Sequence, residues 1–251
     1  MSPTDSPRTP ILEVCVDSVA GLDVAIDSGA GRVELCSALS VGGLTPSAGL
    51  MAAAAEAGIP CFALIRPRAG DFVYGRRDID VMRRDIDQAR SLGLAGLVIG
   101  ASNHEHELDE EVLQRLISHA AGLPVVLHRA FDLVPDSAAA LESAVQLGFR
   151  RVLTSGGAKD ALTGCETIRQ LVTQAGDRIE VMAGAGVRPD NVADLMRRSG
   201  VTAVHSSCSS IESDAPGALG AHARALGFYP PSHRVTDRQV IRAMLAAMQA
   251  A

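Results

Sequence analysis

A recurring glycine most constrains how this chain can fold. Gly29, Gly58, Gly93, Gly122, Gly148, Gly176 and Gly200 stand 24 to 35 residues apart. Each closes a helix-prone stretch just ahead of a short β-branched run. Glycine there can take the left-handed conformation that ends a helix. The spacing is that of one strand plus one helix, and such alternation builds a parallel sheet, because parallel neighbours need a long crossover between them. The runs are Ile11–Val16, Arg32–Cys36, Pro60–Arg66, Gly96–Gly100, Pro124–His128, Arg151–Thr154, Arg178–Met182 and Val201–His205. Helix starts are signalled at Thr45-Pro46, Asp109, Asp136, Arg188-Pro189-Asp190 and Thr236-Asp237, where short polar side chains can cap orphan amides and Pro suits a first turn.

Eight strand–helix units in 251 residues predict an α/β protein, a TIM (β/α)8 barrel. A doubly wound sheet is the alternative, but the G-x-G-x-x-G expected after its first strand is replaced by Asp17-Ser18-Val19. Residues 1–10, with three prolines, read as a disordered leader, and residues 11–251 as one barrel domain. Within it, 206–235 reads as an irregular loop before a last helix that carries Val240, Ile241, Met244, Leu245 and Met248 on one face.

Composition narrows the class. A net charge of −6 and 3% aromatics give no footing for a nucleic-acid partner. No apolar run is long enough for a membrane span, and no signal peptide opens the chain. Five scattered cysteines without a C-x-x-C point to a reducing, cytoplasmic setting. The one lysine, Lys159, lies past a strand rather than on it, which disfavours imine or PLP chemistry. No NAD or flavin cofactor is expected.

In a TIM barrel the chemistry sits at the C-terminal strand ends. The first two strands each carry E-x-C, Glu13/Cys15 and Glu34/Cys36, spaced 21 residues apart. Two-residue alternation puts each pair on one face. With the glutamates in the lumen the thiols are there too, and at equal height on neighbouring strands they could share a soft metal. Two thiolates suit Cu(I) better than structural zinc. The alternative is two small buried hydrophobes. The third strand runs into Arg66 and Arg68, an anion-binding loop or else a salt bridge to Asp71. The fifth ends at His128, which could move protons with Asp132 orienting it, while Arg129 holds an anion; a core histidine is the alternative. Gly184, Gly186, His205, Ser206 and Ser207 follow strands seven and eight, the recurrent phosphate position of such barrels. The catalytic candidates are therefore Glu13, Glu34, His128 and Asp132. His104-Glu105-His106 reads as a solvated loop, and Cys61, Cys165 and Cys208 as bystanders.

Taken in order, these segments resemble the CutC family, known as copper homeostasis proteins. The matching stretches are Leu12-Glu-Val-Cys-Val-Asp-Ser18, Arg32-Val-Glu-Leu-Cys-Ser37, Gly42-Gly-Leu-Thr-Pro-Ser47, Ile65-Arg-Pro-Arg-Ala-Gly-Asp-Phe72, His128-Arg-Ala-Phe-Asp132, Leu153-Thr-Ser-Gly156, Gly186-Val-Arg-Pro189 and His205-Ser-Ser207. Ala69 and Ala185 stand where the family pattern has Gly. The resemblance implies a cytoplasmic TIM barrel that self-associates as a homodimer or higher homo-oligomer, with copper as its ligand and Cys15 and Cys36 as the copper-binding pair. The alternative is an isomerase, lyase or hydrolase-type enzyme acting on a small phosphorylated or carboxylated metabolite.

Overall fold

A computed structural model describes residues 9–211, 222–223, 225–227 and 234–251. The strands are β1 (Ile11–Val16), β2 (Arg32–Leu35), β3 (Cys61–Leu64), β4 (Gly96–Ile99), β5 (Val125–Leu127), β6 (Arg151–Thr154), β7 (Glu180–Ala183) and β8 (Ala203–Ser206). They pair in sequence order, all parallel, and β8 returns to β1. This is the expected TIM barrel. The helices around it are α1 (Val19–Asp27), α2 (Ala48–Ala55), α3 (Arg76–Ser91), α4 (Glu110–Ala120), α5 (Ser137–Leu147), α6 (Cys165–Ala175), α7 (Val192–Ser199) and α8 (Arg238–Gln249). Helix α8 packs on both α7 and α1 and so completes the outer ring. Its Ile241, Met244 and Met248 are buried, on the face the sequence marked.

All seven spacing glycines have positive φ, from 52° to 91°. Asp109, Asp136 and Asp237 cap α4, α5 and α8 through their carboxylates, as predicted. Two helix starts move. Ser47, not Thr45, caps α2, because Thr45 is paired with the end of β3: its amide donates to the Arg66 carbonyl and its hydroxyl accepts from the Arg66 amide. Helix α7 starts at Val192 rather than near Pro189. Asn191 accepts from the Arg188 amide and donates to the Gly186 carbonyl, and that turn delays the helix. The stretch 206–235 is not wholly irregular either: β9 (Ser209–Ile211) pairs antiparallel with β10 (Arg234–Thr236). Of the leader, residues 1–8 lie outside the described residues, while Thr9 and Pro10 are exposed. Among the described residues no helix is long and apolar enough to cross a membrane.

Strand side chains alternate between two interiors. Leu12, Val14, Val33, Leu35, Leu97 and Leu127 face the helices in the main aliphatic core. Cys15, Cys36, Phe62, Leu64, Val98 and Val126 face the lumen, as do Leu153, Met182 and Ala203. The lower lumen is polar. The guanidinium groups of Arg32 and Arg151 stand 5.8 and 5.4 Å from the Phe62 ring centre, and are neutralised by Glu13 and Glu180. Phe62 fits because its neighbour across β3 and β4 is Gly96, where any Cβ would overlap the ring and the Pro124 carbonyl. Gly96→Ala is therefore expected to overpack the barrel and cost about 1–3 kcal/mol. Urea unfolding should show this as a lower midpoint at an unchanged slope.

Candidate functional site

A cavity of about 1100 Å³ opens at the C-terminal end of the barrel. Cys15, Glu34, Leu64, His128, Leu153 and His205 line it from the strands. The loops 39–42, 185–189 and 206–209 supply its walls.

Barrel closure builds its charged centre. The register sets Glu13 beside Arg32 on β2 and beside His205 on β8. Glu13 is fully buried and accepts from Arg32 Nε. Its Oε1 lies 2.8 Å from His205 Nδ1, and Glu34 Oε2 lies 3.7 Å from the same nitrogen. Burial alone pushes Glu13 up, but the hydrogen bond from His205 and the charges of Arg32 and His205 outweigh it and hold the carboxyl down to about 2. Burial pushes Glu34 above the usual carboxylate range, and the Glu13 charge adds to this against the pull of His205. Burial opposes a charged His205, yet Cys15, Glu34 and the bond to Glu13 carry it well above an ordinary histidine. The result is an imidazolium between a carboxylate and a carboxyl group that resists ionisation. Ligand atoms of Glu13, Glu34 and His205 lie within 4.8 Å of one another, a spacing compatible with a metal ion. Arg32 already supplies a full positive charge to that cluster.

Both thiols face the lumen, but not at equal height. Cys15 is level with Glu34, so Cys36 lies one lumen layer further along β2. The stagger between strands that closes a barrel separates them. Cys15 lines the cavity. Cys36 is buried and its Sγ donates to Glu34 Oε1 at 3.4 Å. Burial and the neighbouring Glu34 push that thiol up. Cys61 and Cys165 are buried away from the cavity, whereas Cys208 joins its lining.

The arginine candidates divide. Arg66 lines the cavity, but its Nη1 donates to the Val41 and Gly43 carbonyls and its Nη2 to that of Gly70, each at 2.8 Å. Arg68 is not in the lining; it bonds Asp71, Asp78 and the Val73 carbonyl, which is the salt-bridge alternative. Arg129 is in the lining, with Nε on Asp132 at 2.7 Å and Nη2 on Ser155 Oγ at 2.8 Å.

Asp132 does not orient His128. A 3-10 turn over Arg129–Leu133 carries it to the end of β6 instead. There it accepts from Thr154 Oγ1, from the Ser155 amide and hydroxyl, and from the Gly157 amide. His128 Nδ1 accepts from the Ala130 amide at 3.1 Å. Burial, helped by the Arg66 charge, pushes His128 down to about 3, so its imidazole is neutral and a poor base near neutral pH.

Among the proposed phosphate-site residues, Gly186, His205, Ser206 and Ser207 line the cavity. Gly184 stays in the barrel, where a Cβ would meet Leu153 and His205. Ala185 and Gly186 both have positive φ, 75° and 67°, so the alanine sits in a conformation that favours glycine. Ser206 Oγ donates to the Val187 carbonyl, and Ser207 Oγ is 2.8 Å from Ser209 Oγ. His104–His106 are exposed in a turn held by Asn103 Oδ1. Three arginines escaped the sequence reading. Arg32 was marked by the Arg-x-Glu-x-Cys alternation that puts it on the Glu34 face. Arg188 and Arg234 line the cavity from loop and β10 positions that carry no periodic signal.

The CutC family profile matches residues 10–210. The chain belongs to the CutC family. A CutC family protein of Caulobacter vibrioides (strain NA1000 / CB15N) is 54% identical over 245 residues, 96% of this chain and 97% of that protein. The mouse copper homeostasis protein cutC homolog is 46% identical over 201 residues, 80% of this chain and 74% of that protein. The solved CutC structure from Streptococcus agalactiae superposes with a TM-score of 0.76 at 34% identity, covering 79% of this chain and 99% of that one. The family profile's match ends before β10 and α8. Arg234, Thr236 and Val240 of that remainder nevertheless line the cavity, and Arg234 is anchored there through Nε and Nη2 on the hydroxyl and carbonyl of Ser209.

Proposed function

We propose that this CutC-family barrel is a cytoplasmic enzyme that moves protons on a small anionic metabolite, phosphorylated or carboxylated. The observation that carries this reading is the Glu13–His205–Glu34 cluster at the cavity. Neighbouring groups pushed in opposite directions are how one site holds both an acid and a base. His205 and Glu34 reach the cavity, while Glu13 sits behind His205 and fixes its orientation. Glu34 in its protonated form is the group suited to give a proton, and its carboxylate to take one back. Arg129, Arg188 and Arg234 at the cavity suit the anionic end of the molecule, since guanidinium forks match carboxylate and phosphate.

A thermal-shift screen with phosphosugars and organic acids tests this, followed by turnover assays on any stabilising compound. Glu34→Gln is expected to keep the fold and lose about 10²–10⁴-fold in rate. Stabilisation by no anion, plain phosphate included, would sink the proposal.

The shared lumen face of Cys15 and Cys36, with the family's copper homeostasis name, favours a second reading: Cu(I) as cargo on these two thiols, carried by a homo-oligomer. Soft thiolates fit that ion. The one-layer stagger and the thiol of Cys36, held protonated by burial, work against it. In an anaerobic Cu(I) titration, equal affinities of wild type and the Cys15→Ser/Cys36→Ser variant would exclude it.

A further inference from the structure

We infer that His128 is a fixed hydrogen-bond donor to a carbonyl or carboxylate oxygen of a ligand in the barrel cavity. This rests on reading the cavity as a small-molecule site.

The tautomer follows from the backbone. The Nδ1 lone pair accepts the Ala130 amide at 3.1 Å, so in the neutral ring the proton is on Nε2. That Nε2 is buried and has no hydrogen-bond partner among the described residues. Buried polar atoms are almost always paired, and an unpaired one beside a cavity calls for a ligand or water to complete it. The ring is packed between two neighbours. Gly100 lies against it, where any Cβ would overlap the imidazole. Phe72 packs on it at 4.7 Å between ring centres and also carries the Arg66 guanidinium at 5.0 Å.

The surroundings specify what the donor meets. The charge beside His128 is Arg66, held in place by the Val41, Gly43 and Gly70 carbonyls. A neutral N–H donor beside a fixed positive charge favours an electron-rich oxygen over a cation or an apolar group. On β2, Glu34 Oε2 is another buried atom of the cavity lining, with no hydrogen-bond partner among the described residues and its ion-pair partner His205 Nδ1 at 3.7 Å. A molecule with a carbonyl or carboxylate oxygen for His128 and a hydroxyl for Glu34 would satisfy both sides. In this arrangement His128 polarises the oxygen and does not take up a proton, the task left to Glu34 and His205.

The test is an imidazole proton–nitrogen correlation spectrum of the full chain labelled in histidine, with the His128 signals assigned from their loss in His128→Gln. The expected free protein shows His128 as the neutral Nε2–H tautomer from pH 6 to 8. Glycolate and dihydroxyacetone serve as charged and uncharged oxygen probes, with inorganic phosphate as a third. The Nε2–H signal should move downfield with one or both of the first two. His128→Gln, which keeps a donor, should bind that probe within tenfold of wild type, and His128→Leu more than tenfold weaker. An Nδ1–H or doubly protonated ring would overturn the inference, as would binding of any of the three probes with no shift of Nε2–H from either glycolate or dihydroxyacetone. Failure of all three probes to bind would overturn it together with the reading of the cavity, whereas binding without a shift overturns the donor role alone. Where a variant does not fold, through-bond correlation from the assigned His128 backbone identifies the ring signals, and the wild-type spectrum then decides these outcomes.

Discussion

Glu13→Gln should destabilise the fold by about 3–5 kcal/mol, the usual cost of removing one partner from a buried charge pair. Arg32 would be left in the lumen with its charge uncompensated, and His205 would lose the carboxylate on its Nδ1. The pH dependence gives an independent check of sign. Glu13 is held down to about 2 against an ordinary 4.5. Its contribution is therefore fully present above pH 4.5 and is lost as pH falls from there toward 2, because the unfolded chain takes up the proton first. That window corresponds to roughly 3 kcal/mol, in line with the mutational figure. Urea unfolding of wild type and Glu13→Gln between pH 3 and 7 should show the gap narrowing with acid. A Glu13→Gln/Arg32→Met double variant should recover most of the loss at pH 7, since an apolar replacement leaves no orphaned charge. A single-variant cost under about 1 kcal/mol would show that the pair is not what holds this lumen together.

Asp132→Ala should cost roughly 3 kcal/mol or more and loosen the rim between β5 and β6. The carboxylate is nearly buried and gathers Thr154 Oγ1, the Ser155 amide and hydroxyl, the Gly157 amide and Arg129 Nε. Hydrogen bonds to a charged acceptor contribute about 1.5–3 kcal/mol each, and donors left unpaired in a buried site add to the loss. Ser155 Oγ also contacts the Ala158 carbonyl, so it keeps one partner, while the Gly157 amide does not gain one from alanine. Asp132→Asn should fall between, because the amide supplies one acceptor oxygen but turns two N–H donors toward a cluster of donors. Backbone hydrogen exchange at residues 155–157 should speed up in Asp132→Ala ahead of global unfolding. Unchanged exchange there would contradict the bracing role.

Much of this was legible in the chain itself. The glycine spacing and the β-branched runs defined the barrel because both are local requirements: a helix must end before the next strand starts, and glycine meets the positive φ needed there at no steric cost. The E-x-C alternation placed Glu13, Glu34, Cys15 and Cys36 in the lumen, since side-chain direction along a strand depends only on parity. The errors have one origin. Asp132 is four residues from His128 and looks like its partner, but the tight turn between them rotates the carboxylate toward β6. Thr45-Pro46 looks like a helix start, but the hydroxyl is claimed by the Arg66 amide from another strand. Cys15 and Cys36 look level, but barrel closure offsets β1 against β2.

By itself, then, the sequence determined the number of units, the parallel order and the face each strand residue takes, all of which follow from near-neighbour sterics and hydrophobic alternation. Only the tertiary structure decided which charges meet. Glu13 and His205 lie 192 residues apart and share a hydrogen bond because β8 closes onto β1. Burial at that seam, not any local motif, lets the pair and Arg32 push the Glu13 and His205 protonation states apart. The residues of the site are written locally, while their register and burial are properties of the closed barrel.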